Sequence, residues 1–257
     1  MKKNNLKKDF IETLEPLMLS NGFSRKGKVF HRIVNGKIVQ LMSHFSFFMA
    51  QEFTVQFSIL PLCWGGWELD KNFEGTRIYE EFWGEIEWWS YDGVEGYKKY
   101  LPVALEAVED LLMPKFNKEI DYESYYKSYR ESRCFIDGTD KYAFRSTRYI
   151  FALVFGDYED AKKATEEFQK FWRKRNIEDY GTEYDPNDER EEWFQQTIVE
   201  YARIKEAMDK GDKKTIEEYI SSFEQKSLDS YVKIYSTPKK YEKFLETGVL
   251  PFDIVEI

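Results

Sequence analysis

The sequence predicts an α+β fold, in which an antiparallel sheet with flanking helices is followed by an α-helical hairpin region. Strand-like alternation is confined to about the first ninety residues, and an Asn-Gly turn joins two of these segments. Helical periodicity dominates from about residue 121 onward. We therefore divide the chain into an α+β domain over 1–120 and a mainly helical region over 121–257, which is either a separate domain or a layer packed against the first.

The first element is an amphipathic helix from Asn4 to about Leu19, because an apolar residue recurs every three to four positions along it. Asn21-Gly22 is a good stop signal for this helix, since Gly readily adopts the left-handed conformation of a helix C-terminus. Pro16 predicts a kink or an early end.

A β-hairpin is predicted around Asn35-Gly36, because both positions of a type I′ turn require positive φ. With a two-residue loop, Val34 lies opposite Lys37. This register predicts one shared face for Val29, His31, Ile33, Ile38, Gln40, Met42 and His44, and the other for Phe30, Arg32, Val34, Lys37, Val39 and Leu41. The segment 53–59 then alternates strictly, as expected of a third, half-buried strand.

Further elements follow from the same patterns. The segment 82–89 is typical of a strand, and Gly93 to Lys118 of a long helix. Beyond residue 121, helices are predicted over 122–130, 145–155 and 158–175, then from a capping box near residue 188 to 210, and on to about 225. A helix–Gly-Asp–helix junction occurs twice, 55 residues apart. The first resembles a tetratricopeptide turn, but ordinary helix-turn chemistry explains it as well.

Composition limits the classes of function. The net charge of −9 is concentrated in residues 63–123, which hold fifteen acidic and six basic residues. No apolar run approaches the length of a membrane span, and no apolar core follows the first residues as in a signal peptide. Cys63 and Cys134 are too few for a disulfide scaffold. We therefore expect a cytoplasmic protein with reduced thiols and no membrane partner.

The N-terminal part resembles a bacterial family known as domain of unknown function 4304. The residues that carry the resemblance are a helix around Phe10–Leu17, an exit sequence Asn21-Gly-Phe-Ser-Arg-Lys-Gly27, the aromatic strand that follows it, and the alternating strand 53–59. The resemblance covers about residues 1–120. It implies a small bacterial α+β domain and supplies no activity, cofactor or catalytic residue.

Few side chains in this sequence suit catalysis. His31 and His44 are the only histidines, and no nucleophile motif surrounds the serines beside His44. The two cysteines lack zinc-ligand spacing, and Gly65-Gly66 is not followed by the residues of a phosphate loop. The segment 185–190 lacks the glycine of a calcium loop. We therefore expect no cofactor and no metal ion.

Two sets of charged residues suggest alternative functions. Glu85 and Glu87 project from one side of a predicted strand, which suits a glycosidase pair but equally a solvated strand face. Five basic residues near the hairpin suit the backbone of a nucleic acid: Arg25, Lys26, Lys28, Arg32 and Lys37. The overall acidic charge argues against that partner.

An acidic and aromatic segment over residues 64–91 is the best candidate for a binding surface. Aromatic residues are enriched at interface hot spots, and acidic residues around them favour a basic partner. The candidate binding residues are Trp64, Trp67, Glu81, Trp83, Glu85, Glu87, Trp88 and Trp89. Burial of these tryptophans in a core under the sheet is the competing interpretation.

Two functional hypotheses follow. The first is a non-catalytic protein-interaction module, resembling an immunity protein or an antitoxin, that binds a partner protein with a basic surface. The second is a small-molecule or nucleotide-related enzyme whose site is built from scattered residues. A flat aromatic patch with an acidic rim would favour the first, and a deep pocket with converging titratable groups would favour the second.

Overall fold

A computed structural model of the protein describes residues 3–47, 52–64, 76–77, 89–90, 93–131, 141–180 and 192–257. The chain divides into two compact units. The first contains Met1–Leu62, Gly66–Ile136 and Ser227–Ile257, and the second contains Cys63–Gly65 and Asp137–Lys226. The predicted fold class is confirmed, since an antiparallel sheet with helices is followed by helical hairpins. The grouping of the last residues with the first ones is a feature that the sequence division did not contain.

The first helix, α1 (Lys3–Ser20), matches its prediction and includes Pro16 within its length. It ends in a Schellman motif, in which the Phe23 N–H donates to the Met18 carbonyl at 3.0 Å. Gly22 takes the left-handed conformation that this motif requires, with φ of 77°.

The sheet belongs to the first unit. Among the described residues it contains β1 (Ser24–Lys26), β2 (Val29–Val34), β3 (Ile38–Phe47), β4 (Glu52–Pro61), β5 (Thr76–Arg77), β6 (Trp89–Ser90) and β7 (Ile254–Val255). The central strands β2, β3 and β4 pair antiparallel in chain order. The outer edge of β2 is shared by β1 and by β7, which is parallel to it, and the outer edge of β4 is shared by β5 and β6.

The hairpin turn has the predicted backbone, but the predicted register is wrong by one residue. Asn35 and Gly36 both have positive φ, of 48° and 62°, and the Lys37 N–H donates to the Val34 carbonyl at 3.0 Å. Val34 nevertheless pairs with Ile38, so that Lys37 is an extra residue before the ladder begins. A shift of one residue moves one strand's side chains to the opposite face relative to its partner.

The corrected register changes which residues share a face. His31 lies opposite Leu41 and Arg32 opposite Gln40, whereas the predicted register grouped His31 with Gln40. His44 lies in β3, but its side chain is outside the described residues.

One face of the sheet packs against α1 and against a long helical segment. That segment is as predicted in extent, but a π-helical turn at Val108–Leu112 divides it into α2 (Gly93–Ala107) and α3 (Met113–Lys118). Phe53 of β4 meets Phe10 of α1 edge-on, with ring centroids 6.1 Å apart, and Phe57 meets Phe116 of α3 at 6.0 Å. A short helix, α4 (Tyr122–Glu131), follows.

The second unit is built from helices: α5 (Lys141–Val154), α6 (Tyr158–Tyr180), α7 (Glu192–Lys210) and the first part of α8 (Lys213–Tyr235). The two predicted Gly-Asp junctions have the same construction. At each one the glycine has positive φ and the aspartate N–H closes the preceding helix, with Asp157 donating to Ala152 at 2.8 Å and Asp212 to Ala207 at 2.9 Å. No strand occurs among the described residues of this unit.

The opposite face of the sheet is covered by residues 227–257, which we call the C-terminal layer. It contains the end of α8, which continues ten residues beyond the predicted end near Gln225, then α9 (Pro238–Thr247) and β7. The layer buries its aromatic side chains against β2 and β3 in a cluster of Val29, Ile33, Val39, Leu41, Tyr231, Val232, Tyr235 and Phe244. Both faces of the central strands are therefore covered within the first unit.

Candidate functional site

The predicted binding residues lie mostly beyond the described part of the chain. Trp67, Glu81, Trp83, Glu85, Glu87 and Trp88 are outside the described residues. Trp64 is half-buried in a short 3₁₀ turn, Leu62–Trp64, that directly follows β4. Trp89 lies in β6, at the position opposite Phe53 of β4. The exposure of the aromatic surface as a whole thus stays a prediction.

Two short strands attach the acidic segment to the sheet. Thr76 and Arg77 pair with Phe57 and Gln56, and Trp89 and Ser90 pair with Phe53 and Glu52. Both pairings use the outer edge of β4, because the inner edge is occupied by β3 along its full length. The segment 64–91 is therefore held to one edge of the sheet at two points, twelve or more residues apart.

His31 is buried in an aromatic environment and has the features of a structural residue. Its Nδ1 lies 2.7 Å from the Tyr231 hydroxyl, and its ring lies 4.5 Å from that of Tyr235. Burial, with a smaller effect from the charge of Lys26, lowers the pKa of His31 from 6.5 to about 4. The imidazole is therefore neutral near pH 7 and is held in place by the C-terminal layer.

Lys26 connects β1 to the same layer. Its Nζ donates to the Ser236 carbonyl at 2.7 Å and also to the Ile234 carbonyl, at the end of α8. The last carbonyls of a helix lack intrahelical partners, and a lysine ammonium is a favourable donor to them. Lys26 therefore stabilises the end of α8 instead of facing an external anion.

Arg32 is enclosed by neutral acceptors on the opposite face of the sheet. Its Nε donates to Gln40 Oε1 at 2.7 Å, its Nη2 donates to Asn117 Oδ1 at 3.0 Å, and its guanidinium lies 4.4 Å from the Phe23 ring centroid. Burial lowers the pKa of Arg32 from 12.5 to about 10, so the side chain remains charged near neutral pH. The remaining contact is with the Asn21 carbonyl at the end of α1.

Four of the five residues of the predicted basic cluster make contacts within the first unit. Arg32 and Lys26 are used internally, as described above. Arg25 forms an ion pair with Glu15 of α1 at 2.9 Å, and Lys37 lies 5.1 Å from the Tyr122 ring centroid. The predicted basic cluster is thus largely a set of contacts within the first unit.

Three buried tyrosines meet in the second unit and were not singled out from the sequence. Tyr149 of α5, Tyr201 of α7 and Tyr219 of α8 are all buried, and the rings of the first two lie 4.6 Å apart. Burial raises the pKa of all three phenols, and the nearby Glu200 carboxylate adds to the increase. They stay protonated near neutral pH and pack between three helices.

Other classes of site find no support in the described residues. Within the ranges given above, no group of three or more His, Cys, Asp or Glu side chains is placed to hold a metal ion. Cys63 is buried, and Cys134 lies outside those ranges. In the same part of the chain, no helix combines the length and apolar character needed to cross a membrane.

Comparisons with known proteins add no relative. No family model, no curated protein and no solved structure matches this chain. The resemblance to the uncharacterised bacterial family therefore stays a prediction.

Proposed function

We propose that the protein is a non-catalytic interaction module that binds a partner protein with a basic surface, in the manner of an immunity protein or an antitoxin. The observation that carries the proposal is the double attachment of the acidic segment 64–91 to the outer edge of β4. The two pairings fix the segment to the first unit, so a partner that binds it would dock beside the outer edge of β4.

The composition of that segment specifies the chemistry of the partner. Residues 64–91 contain seven acidic residues and two basic ones, together with five tryptophans. An acidic surface attracts a basic partner and raises the association rate, and large aromatic side chains supply most of the binding energy at protein interfaces.

The internal use of the reactive side chains is consistent with this proposal. His31, the histidine whose side chain is described, packs against Tyr231 and Tyr235. Arg32 and Lys26 are occupied by contacts that hold the first unit together. Each of these side chains thus has a structural role that is sufficient to account for it.

A paired capture experiment tests the proposal. The bait is the whole chain, either unchanged or carrying glutamine in place of the four glutamates Glu80, Glu81, Glu85 and Glu87. We expect the unchanged bait to retain a basic protein that the substituted bait loses. Association should also slow as salt rises, since the Debye length falls from about 10 Å at 0.1 M to about 3 Å at 1 M.

A matched variant controls for the change in net charge. It carries glutamine at four exposed glutamates of other elements, namely Glu123, Glu166, Glu217 and Glu218. This variant should retain the partner. Identical sets of captured proteins from all three baits would contradict the proposal.

A further inference from the structure

The outer edge of β7 presents main-chain groups that the sheet does not use. The Asn35 N–H donates to the Val255 carbonyl at 2.9 Å, so the main-chain N–H and C=O groups of Val255 are directed toward β2. On a parallel strand, the residues beside such a position direct their N–H and C=O groups away from the partner strand. Ile254 and Glu256 therefore present theirs at the outer edge, where no described strand pairs with β7.

Apolar side chains are exposed in the segment that contains this edge. Ile254 is 41% exposed, and Leu245 and Val249 are 58% and 63% exposed. Three of the large exposed apolar side chains of the described residues thus fall within ten positions of one another. Of these three, Ile254 lies in β7 itself, and an exposed apolar side chain on an open strand edge is a feature that an added strand uses.

The charge of the same segment selects the partner. Residues 245–257 contain Glu246, Asp253 and Glu256 and no lysine or arginine. Asp253 and Glu256 flank β7 and are exposed, and no described residue lies within ion-pair distance of either carboxylate. Both carboxylates would attract an added strand with basic side chains, whereas they would repel an acidic one.

We propose that the outer edge of β7 accepts an extended, basic segment of another protein by strand addition. Main-chain hydrogen bonds to Ile254 and Glu256 hold the segment. Its apolar residues pack on Ile254, which shares a face of the strand with Glu256, and its basic residues lie on the face of Asp253. The site is separate from segment 64–91, so it stands or fails independently of the function proposed above.

The test uses the whole chain and a defined probe, the capped hexapeptide Ac-(Lys-Val)₃-NH₂. We expect the largest amide shifts in nuclear magnetic resonance spectra at Ile254 and Glu256, and no binding of Ac-(Glu-Val)₃-NH₂. Two N-methylated forms of the lysine peptide, blocked at every lysine or at every valine, distinguish strand addition from side-chain contact. Strand addition requires one of the two forms to bind and the other to fail.

Substitutions test the charge selection. The double variant Asp253→Lys, Glu256→Lys should bind the lysine peptide at least about tenfold more weakly than the wild type does. It should bind the glutamate peptide instead. The matched double variant Glu217→Lys, Glu218→Lys alters two exposed carboxylates of α8 and should leave binding unchanged. Circular dichroism confirms that each variant is folded.

Several results would overturn the inference. Shifts centred on segment 64–91 would assign peptide binding to the acidic surface, and equal binding of both N-methylated forms would exclude strand addition. Unchanged binding by the Asp253, Glu256 double variant would exclude charge selection. Concentration-dependent shifts at β7 without peptide would show that a second copy of the chain occupies the edge.

Discussion

The neutral, buried state of His31 makes the stability of the first unit depend on pH. In the native state the His31 imidazole takes up a proton only when the pH falls to its pKa of about 4, whereas in the unfolded chain it does so near pH 6.5. Acid therefore favours the unfolded chain. The contribution of His31 is present above pH 6.5, decreases as the pH falls, and is fully lost only below pH 4, where the native imidazole is also protonated.

The size of the effect follows from the two pKa values. A shift from 6.5 to about 4 corresponds to about 3 kcal/mol of unfolding free energy over the whole pH interval. Between about pH 8 and about pH 5, the loss from this single group is about 2 kcal/mol. This change is a large fraction of the stability of a typical domain.

One variant, compared with the wild type, isolates this contribution from that of the carboxylates. In His31→Gln the side chain cannot titrate but retains a group able to bond the Tyr231 hydroxyl. We expect this variant to be less stable than the wild type at pH 8, because it loses the ring contact with Tyr235. Between pH 8 and pH 5, however, the wild type should lose about 2 kcal/mol more than the variant does.

Hydrogen exchange of the β2 amides is the preferred measurement, because it reports on the first unit whether or not the two units unfold together. Exchange of β2 is followed at both pH values for the wild type and the variant, with intrinsic rates corrected for pH. Equal losses of protection in the two proteins would refute the reasoning, since they would show that the pKa of His31 is the same in the native and unfolded states.

Two further predictions concern backbone positions. Gly22→Ala should destabilise the protein more than Gly156→Ala, as measured by urea unfolding. Both positions have positive φ, but a new Cβ at Gly22 would lie 2.7 Å from a Val255 methyl, whereas a new Cβ at Gly156 would have nothing within 4 Å. The shared conformational cost is about 1 kcal/mol, so equal losses would show that Val255 moves aside freely. Asn35→Gly keeps the positive-φ turn but loses the hydrogen bond that the Ile257 N–H donates to Asn35 Oδ1, and Asn35→Val loses the turn conformation as well. The melting temperature should therefore be highest for the wild type, lower for the glycine variant and lowest for the valine variant. A valine variant as stable as the glycine variant would count against the role of positive φ.

The sequence was sufficient for the elements whose signals are local. The Asn35-Gly36 turn, the end of α1 at Gly22 and both Gly-Asp junctions depend on positive φ at a glycine or asparagine, and all were predicted correctly. The hairpin register was not, because all six residues of β2 are buried. A strand covered on both faces lacks the alternation that selects one register over its neighbour.

The length of α8 was underestimated although the sequence contains a signal for it. Leu228, Tyr231, Val232 and Tyr235 recur at helical spacing beyond the predicted end, and all four contribute to the cluster under the sheet. The helix was predicted to end near Gln225 because the residues around that position are polar. The candidate surface over 64–91 was predicted from composition alone, which indicates the chemistry of a partner but not the exposure of any one side chain.

The C-terminal layer explains why the hairpin was difficult to interpret in functional terms. Lys26 bonds Ser236, His31 bonds Tyr231 and Asn35 bonds Ile257, so three polar residues of one hairpin region are each satisfied by a partner about two hundred residues away. A basic residue or a histidine on a strand is a candidate for binding or catalysis only while its partner is unknown. Polar residues near the N-terminus of such a chain are therefore informative about function only after the element that covers their face has been identified.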